Sequence, residues 1–171
     1  MLQIKQLTIT HKKDFRVILR DFSFVLNPGD KVVLIGEEGN GKSTLLKWIY
    51  DPELIEGYAE AQGERICTGE QPGYLPQELP AEEKEKTVYE YFCGEDAFGM
   101  QTPRELTHLA GQLKLPTDFF YRDQKMSTLS GGEKVKAQMA RLLMTQPTVL
   151  LLDEPSNDID IETLEWLEKL I

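Results

Sequence analysis

Apolar residues fall on a loose two-residue period at Leu2, Ile4, Leu7 and Ile9, which predicts a strand over residues 2–9 with one buried face. Phe15 to Leu26 is rich in β-branched and aromatic residues and predicts further strand. The turn residues Asn27-Pro28-Gly29-Asp30 close it. Lys31 to Ile35 is a short apolar run that feeds into a glycine-rich stretch, and Lys42 to Tyr50 predicts the helix behind it. Asp51 to Gly73 is polar and contains glycine. Tyr74-Leu75-Pro76-Gln77 predicts a short strand ending in a glutamine, and the charge-dense Ala81–Lys86 a solvated linker or helix start.

Helical spacing dominates afterwards. Thr102-Pro103-Arg104-Glu105 has the form of a capping box with proline in the first turn. Leu106, Leu109, Ala110 and Leu113 follow at i, i+3, i+4 and i+7, the mark of a surface helix with one buried face. A second helix is expected from about Gly131 to Met144, with Val135, Met139, Leu142 and Leu143 inward. Thr148–Leu152 lacks polar alternation, which suits a parallel strand buried on both faces. Ile161–Ile171 begins a last helix with Asp160 as its cap. The fold class is therefore α/β, with a β-rich N-terminal part, a central, mostly parallel sheet and a helical subdomain over about residues 80–145. No internal repeat or low-complexity tract interrupts it.

Three stretches carry chemistry. Gly36-Glu37-Glu38-Gly39-Asn40-Gly41-Lys42-Ser43 matches G-x-x-x-x-G-K-[ST] at every fixed position. Glycines let backbone N–H groups turn inward around phosphate oxygens. Lys42 can reach the β- and γ-phosphates, Ser43 suits a Mg²⁺ ligand, and Thr44 completes the binding set. Val149–Leu152 runs into Asp153 and Glu154, so Asp153 emerges at a strand's C-terminal end, where open α/β sheets bind ligands. Asp153 can orient Mg²⁺ through water, and Glu154 can polarise an attacking water. Leu129-Ser130-Gly131-Gly132-Glu133 contains a further capping box, Ser130 with Glu133. Its exposed N–H groups and positive dipole end suit a γ-phosphate.

Composition narrows the classes. A net charge of −10 argues against broad, non-specific nucleic-acid binding. No run approaches the roughly 20 apolar residues of a membrane span, and Met1-Leu2-Gln3-Ile4-Lys5 lacks the apolar core of a signal peptide, so a cytoplasmic location is expected. Cys67 and Cys93 form no Cys/His cluster and read as free thiols.

P-loop, LSGGE stretch and acid pair, in this order, resemble the nucleotide-binding domain of ATP-binding-cassette (ABC) ATPases. The resemblance covers essentially the whole chain. It adds a glutamine loop at Gln77, with a role at Mg²⁺, and a D-loop at Ser156–Asp160 in which Asp160 is the matching acid. Gly131-Gly132-Glu133-Lys134-Val135-Lys136, Tyr74-Leu75-Pro76-Gln77-Glu78 and the run from Asp153 to Glu168 are similar to the first cassette of ABC-F proteins. Those proteins are not transporters; they carry two cassettes and act on the ribosome, in translation control or antibiotic protection. The resemblance implies ATP and Mg²⁺ as ligands, Glu154 and Lys42 as catalytic residues, and a second cassette as partner, in the same intact chain or a homodimer. Leu129, Ser130, Gly131, Gly132 and Glu133 would then touch the partner cassette's ATP.

Some positions depart from the family pattern. Glu38 stands where Asn or Ser is usual, which places an acid near the triphosphate. Asp158 replaces a common His. For the adenine-stacking aromatic, His11 fits by position and Phe15 lies nearby, although Phe15 also suits a core or edge-strand role. The family's switch histidine has no match, because His11 and His108 both lie upstream of Asp153. The chain therefore reads as a piece of a longer protein, which binds ATP with little turnover by itself. The short segment between Gln77 and Ser130 favours a short-arm type. Two alternatives stay open: an ATP-binding subunit docking a membrane permease, and a module that holds nucleotide without turnover.

Overall fold

The computed structural model describes residues 1–156 and 159–170, so Asn157 and Asp158, the latter a D-loop departure noted above, and Ile171 lie outside the described residues. The chain divides into two compact units. One comprises residues 1–74 and 147–153, the other residues 75–146 and 154–171.

The first unit is built on β1 (Leu2–His11), β2 (Val17–Leu26) and β3 (Ala59–Cys67). They form an antiparallel sheet in the order β2-β1-β3. The alternating apolar residues of β1 point as expected: Leu2, Ile4, Leu7 and Ile9 are buried. They pack with Leu45, Trp48 and Ile49 of α1 (Lys42–Tyr50), with Ile55 of α2 (Glu53–Glu56), and with Val149 and Leu151. β3 lies within the stretch read as merely polar. Its residues lack apolar alternation, and the strand exists because β1 supplies a hydrogen-bonding edge from Leu2↔Cys67 to His11↔Ala59. Gly63 sits where Lys5 and Thr8 lose register, and a Cβ there would press on the backbone of Leu7 and Lys5.

β4 (Pro72–Leu75) pairs with β5 (Val149–Leu152). β4 ends two residues before Gln77, so the glutamine lies in the loop beyond the strand. β5 alternates where burial on both faces was expected: Val149 and Leu151 are buried, but Leu150 is 36% exposed. A larger difference concerns Lys31–Ile35, which forms no strand; Val33 is 80% and Ile35 94% exposed. Among the described residues no strand pairs with this run, and an unpaired apolar segment has no ladder to hold it extended.

Helices make the second unit: α3 (Ala81–Lys84), α4 (Val88–Cys93), α5 (Asp96–Gly99), α6 (Pro103–Gln112), α7 (Gly131–Met144) and α8 (Ile161–Leu170). Its aromatic residues interlock edge to face, with Phe92 and Phe120 ring centroids 4.9 Å apart at 87°. The inward face of α7 differs in part from expectation. Met139 and Leu142 are buried, Val135 and Leu143 only half-buried, and Ala137, Gln138 and Ala140 take the deeper positions. The two alanines there allow closer approach than valine or leucine would. Among the described residues no helix is long and apolar enough to cross a membrane.

Candidate functional site

In the first unit the glycine-rich loop leads straight into α1. Gly39 and Gly41 both have positive φ, near +80°, a conformation that a side chain disfavours. Gly41 is also fixed by space, since a Cβ would collide with Cγ2 of Ile18 on β2. Residues 36–40 are exposed and residues 41–44 half-buried, which leaves the loop's backbone accessible. The Lys42 ammonium donates to the carbonyls of Gly36 at 2.9 Å and Glu37 at 3.1 Å, so it lies across the loop. α1 carries no acid among its own first-turn residues and has Lys47 in its last turn. The loop thus has the donors and the field for a polyphosphate.

Asp153 follows β5 and is only 2% exposed. Ser43 Oγ donates to its Oδ1 at 2.9 Å, across 110 residues of sequence. Tyr74 of β4 donates its hydroxyl to Oδ2 at 2.8 Å. Burial, followed by this hydrogen bond, holds the Tyr74 phenol well above the ordinary tyrosine range. The paired hydroxyl and carboxylate are hard oxygen donors of the kind that suits Mg²⁺, an ion that keeps several of its own waters. Tyr74 went unnoticed in the sequence as a contributor. It lies within the Tyr74–Gln77 stretch, but nothing in the residue order says that its hydroxyl meets Asp153.

The remaining residues belong to the second unit. Glu154 takes a positive φ of 45°, rare for a residue with a side chain and a common mark of functional positions. Gln77 Nε2 donates to Glu154 Oε2 at 3.2 Å, so these two positions, 77 residues apart, are brought together. Ser130 caps α7. Glu133 N–H donates to Ser130 Oγ at 3.2 Å, while Ser130 N–H and Oγ–H donate to Glu133 Oε2, each at 3.0 Å. Leu129 is buried, Ser130 exposed and Gly131 half-buried. Gly132 is buried for a reason of space: a Cβ would lie 2.5 Å from Thr163 Oγ1 and 2.8 Å from Asp160 Oδ2. Asp160 caps α8 by accepting the Thr163 N–H at 2.8 Å, and this bond is the main cause of its lowered carboxyl pKa. The start of the LSGGE helix therefore packs directly on the Asp160 cap.

For the aromatic position, Phe15 is 79% exposed at φ +55° ahead of β2, which excludes a core role and places it outside the strand. His11 donates from Nδ1 to Asp14 Oδ1, 2.9 Å away, and its ring lies 6.5 Å from that of Tyr58.

A family model described as ABC transporter matches residues 19–157. ATP-binding protein Uup of Escherichia coli (strain K12) is 34% identical over 169 residues, 95% of this chain and 25% of that protein. Energy-dependent translational throttle protein EttA of Haemophilus influenzae is 33% identical, over 91% of this chain and 34% of that protein. ABC transporter F family member 5 of Arabidopsis thaliana is 32% identical, over 91% of this chain and 22% of that protein. The chain thus spans 22–34% of the length of these relatives. A solved ATP-binding subunit of an ABC transporter shares the fold, with a TM-score of 0.75 at 24% identity over 99% of this chain and 72% of that one. The chain belongs to the ABC transporter family as an ATP-binding domain, and its sequence is like those of ABC-F proteins.

Proposed function

We propose that the chain is the first cassette of an ABC-F-type protein that binds and hydrolyses ATP in the cytoplasm and works on the ribosome. The observation that carries the ATP site is the bond from Ser43 Oγ to Asp153 Oδ1, 2.9 Å long. It joins the end of the phosphate loop to the end of β5, as a Mg-nucleotide site needs. The backbone of Gly36, Glu37, Glu38, Gly39, Asn40 and Gly41, with Lys42, Ser43 and Thr44, takes the phosphates. Ser43 and Asp153, with Gln77 by resemblance, would hold Mg²⁺, which supplies positive charge to the phosphate oxygens. Glu154 orients the attacking water and takes its proton, and Gln77 steadies its carboxylate. The water oxygen then bonds to the γ-phosphorus as the bond to the β–γ bridging oxygen breaks and ADP leaves. Phe15, exposed ahead of β2, is the aromatic we assign to adenine. The capped start of α7 and Asp160 would meet the ATP of a second cassette, in the same chain or a second copy.

ABC-F is favoured over a transporter subunit by the Glu133-Lys134 ending of the signature and the Asp160–Glu168 run, with support from relatives named for the F family and for translation. Ribosome co-sedimentation of the intact protein carrying Glu154→Gln checks this. ATP-dependent pelleting is the expected result. Absence of pelleting in a protein that still binds ATP would replace the ribosome with a permease as partner.

A further inference from the structure

We propose that Tyr74 is a positioning residue for the metal side of this site: its hydroxyl pins Asp153 Oδ2 so that Oδ1 stays turned toward Ser43. The proposal rests on the reading of the Ser43–Asp153 pair as a Mg-nucleotide site. Three separate elements converge on one carboxylate, with Ser43 from α1, Tyr74 from β4 and Asp153 at the end of β5. The carboxylate is 2% exposed, so water is a poor substitute donor. A carboxylate's last torsion is broad and two-fold, so one bond leaves it free to rock, whereas a donor on each oxygen fixes its plane. The Tyr74 ring is itself steadied, with Tyr50 5.8 Å away between centroids. Mg²⁺ demands near-ideal octahedral geometry, so affinity depends on how an acidic ligand, direct or through water, is oriented. Groups that orient such ligands typically change metal affinity by about 10–100-fold when removed. The rival account is that the Tyr74 ring only packs against the core of the first unit. Phenylalanine would satisfy that account completely.

The test is equilibrium binding of a fluorescent methylanthraniloyl-ATP to the full-length protein and its Tyr74→Phe variant, in EDTA and across a Mg²⁺ titration. Expected is equal affinity in EDTA and a Mg²⁺ midpoint raised by about tenfold in the variant. In an Asp153→Asn background, Tyr74→Phe should add nothing. An unchanged midpoint, an equal loss with and without Mg²⁺, or an undiminished shift in the Asp153→Asn background would each overturn the proposal. A wild-type protein that fails to bind the analogue in either condition would instead overturn the nucleotide-site reading beneath it. Replacing Tyr74 by 3-fluorotyrosine gives a second reading that keeps the hydroxyl. Its ¹⁹F resonance should move when Mg²⁺ joins bound nucleotide, and a resonance that ignores Mg²⁺ would count against the role.

Discussion

Asp153 and Glu154 are adjacent, yet their surroundings separate their chemistry. Asp153 is buried with both oxygens bonded, which suits a fixed ligand, whereas Glu154 is half-buried on a left-handed backbone. Both acids were legible as an apolar run ending in Asp-Glu. The partners that define them were not, because Ser43 and Tyr74 come from distant parts of the chain. Gly132 shows the same limit. The signature motif marks it, but the reason for glycine is its contact with Thr163 and Asp160. Gly132→Ala should destabilise the protein by up to about 2 kcal/mol, the balance of an overpacking cost of about 1–3 kcal/mol and a helix-propensity gain of roughly 1 kcal/mol. Thermal unfolding would register a drop of about 2–4 °C per kcal/mol. Thr163→Ala in the same chain should recover part of that loss, and simple additivity of the two changes would disprove the clash.

Elements with local signals followed the sequence closely. α1 and α7 span the expected residues, and the Thr102–Glu105 and Ser130–Glu133 boxes form as their spacing requires. A third box, Thr87 with Glu90, opens α4 and carries the same T-x-x-E signature. The hydroxyl of Thr102, and then its backbone N–H, hold the Glu105 carboxyl below the ordinary glutamate range. A carboxyl depressed on folding adds stability that is complete above its unfolded value, about pH 4.3, and is lost as pH falls through the folded value. The first-turn amides of α6 should therefore lose protection, measured against their intrinsic exchange rates, as the pH drops below that point. Thr102→Ala should raise their exchange at neutral pH and flatten this dependence, as read by hydrogen exchange. β3 and Lys31–Ile35 mark the opposite case. A strand is completed by its neighbour, so polar β3 forms beside β1 while the apolar run, without a paired strand among the described residues, does not.

Across the second unit, one side chain ties several short helices together. Arg141 of α7 bonds Glu83 of α3 at 2.5 Å and also Glu95 ahead of α5, with its guanidinium 4.7 Å from the Tyr91 ring centroid of α4. Burial pushes the Tyr91 phenol up to about 12 despite the nearby cation. The arginine is partly exposed, so solvent screening reduces what the pairs contribute. Arg141→Met, which keeps the bulk, should cost about 1–2 kcal/mol in denaturant unfolding. Arg141→Lys should restore only a fraction, because an ammonium cannot fork between two carboxylates and stack on a ring together. Recovery of full stability by lysine would reduce the role to simple charge.

The sequence by itself determined the glycine-rich loop, the acid pair, the capped LSGGE helix and the family, because each depends on residues close together in the chain. Glycine spacing, a capping box and an apolar strand ending in acids act locally and leave a linear trace. Tertiary structure alone decided which side chains complete the site: Ser43 and Tyr74 on Asp153, Gln77 on Glu154, Thr163 against Gly132, and Ile18 against Gly41. These contacts depend on chain reversal and packing, which bring together residues up to 110 positions apart, and no local pattern records that meeting.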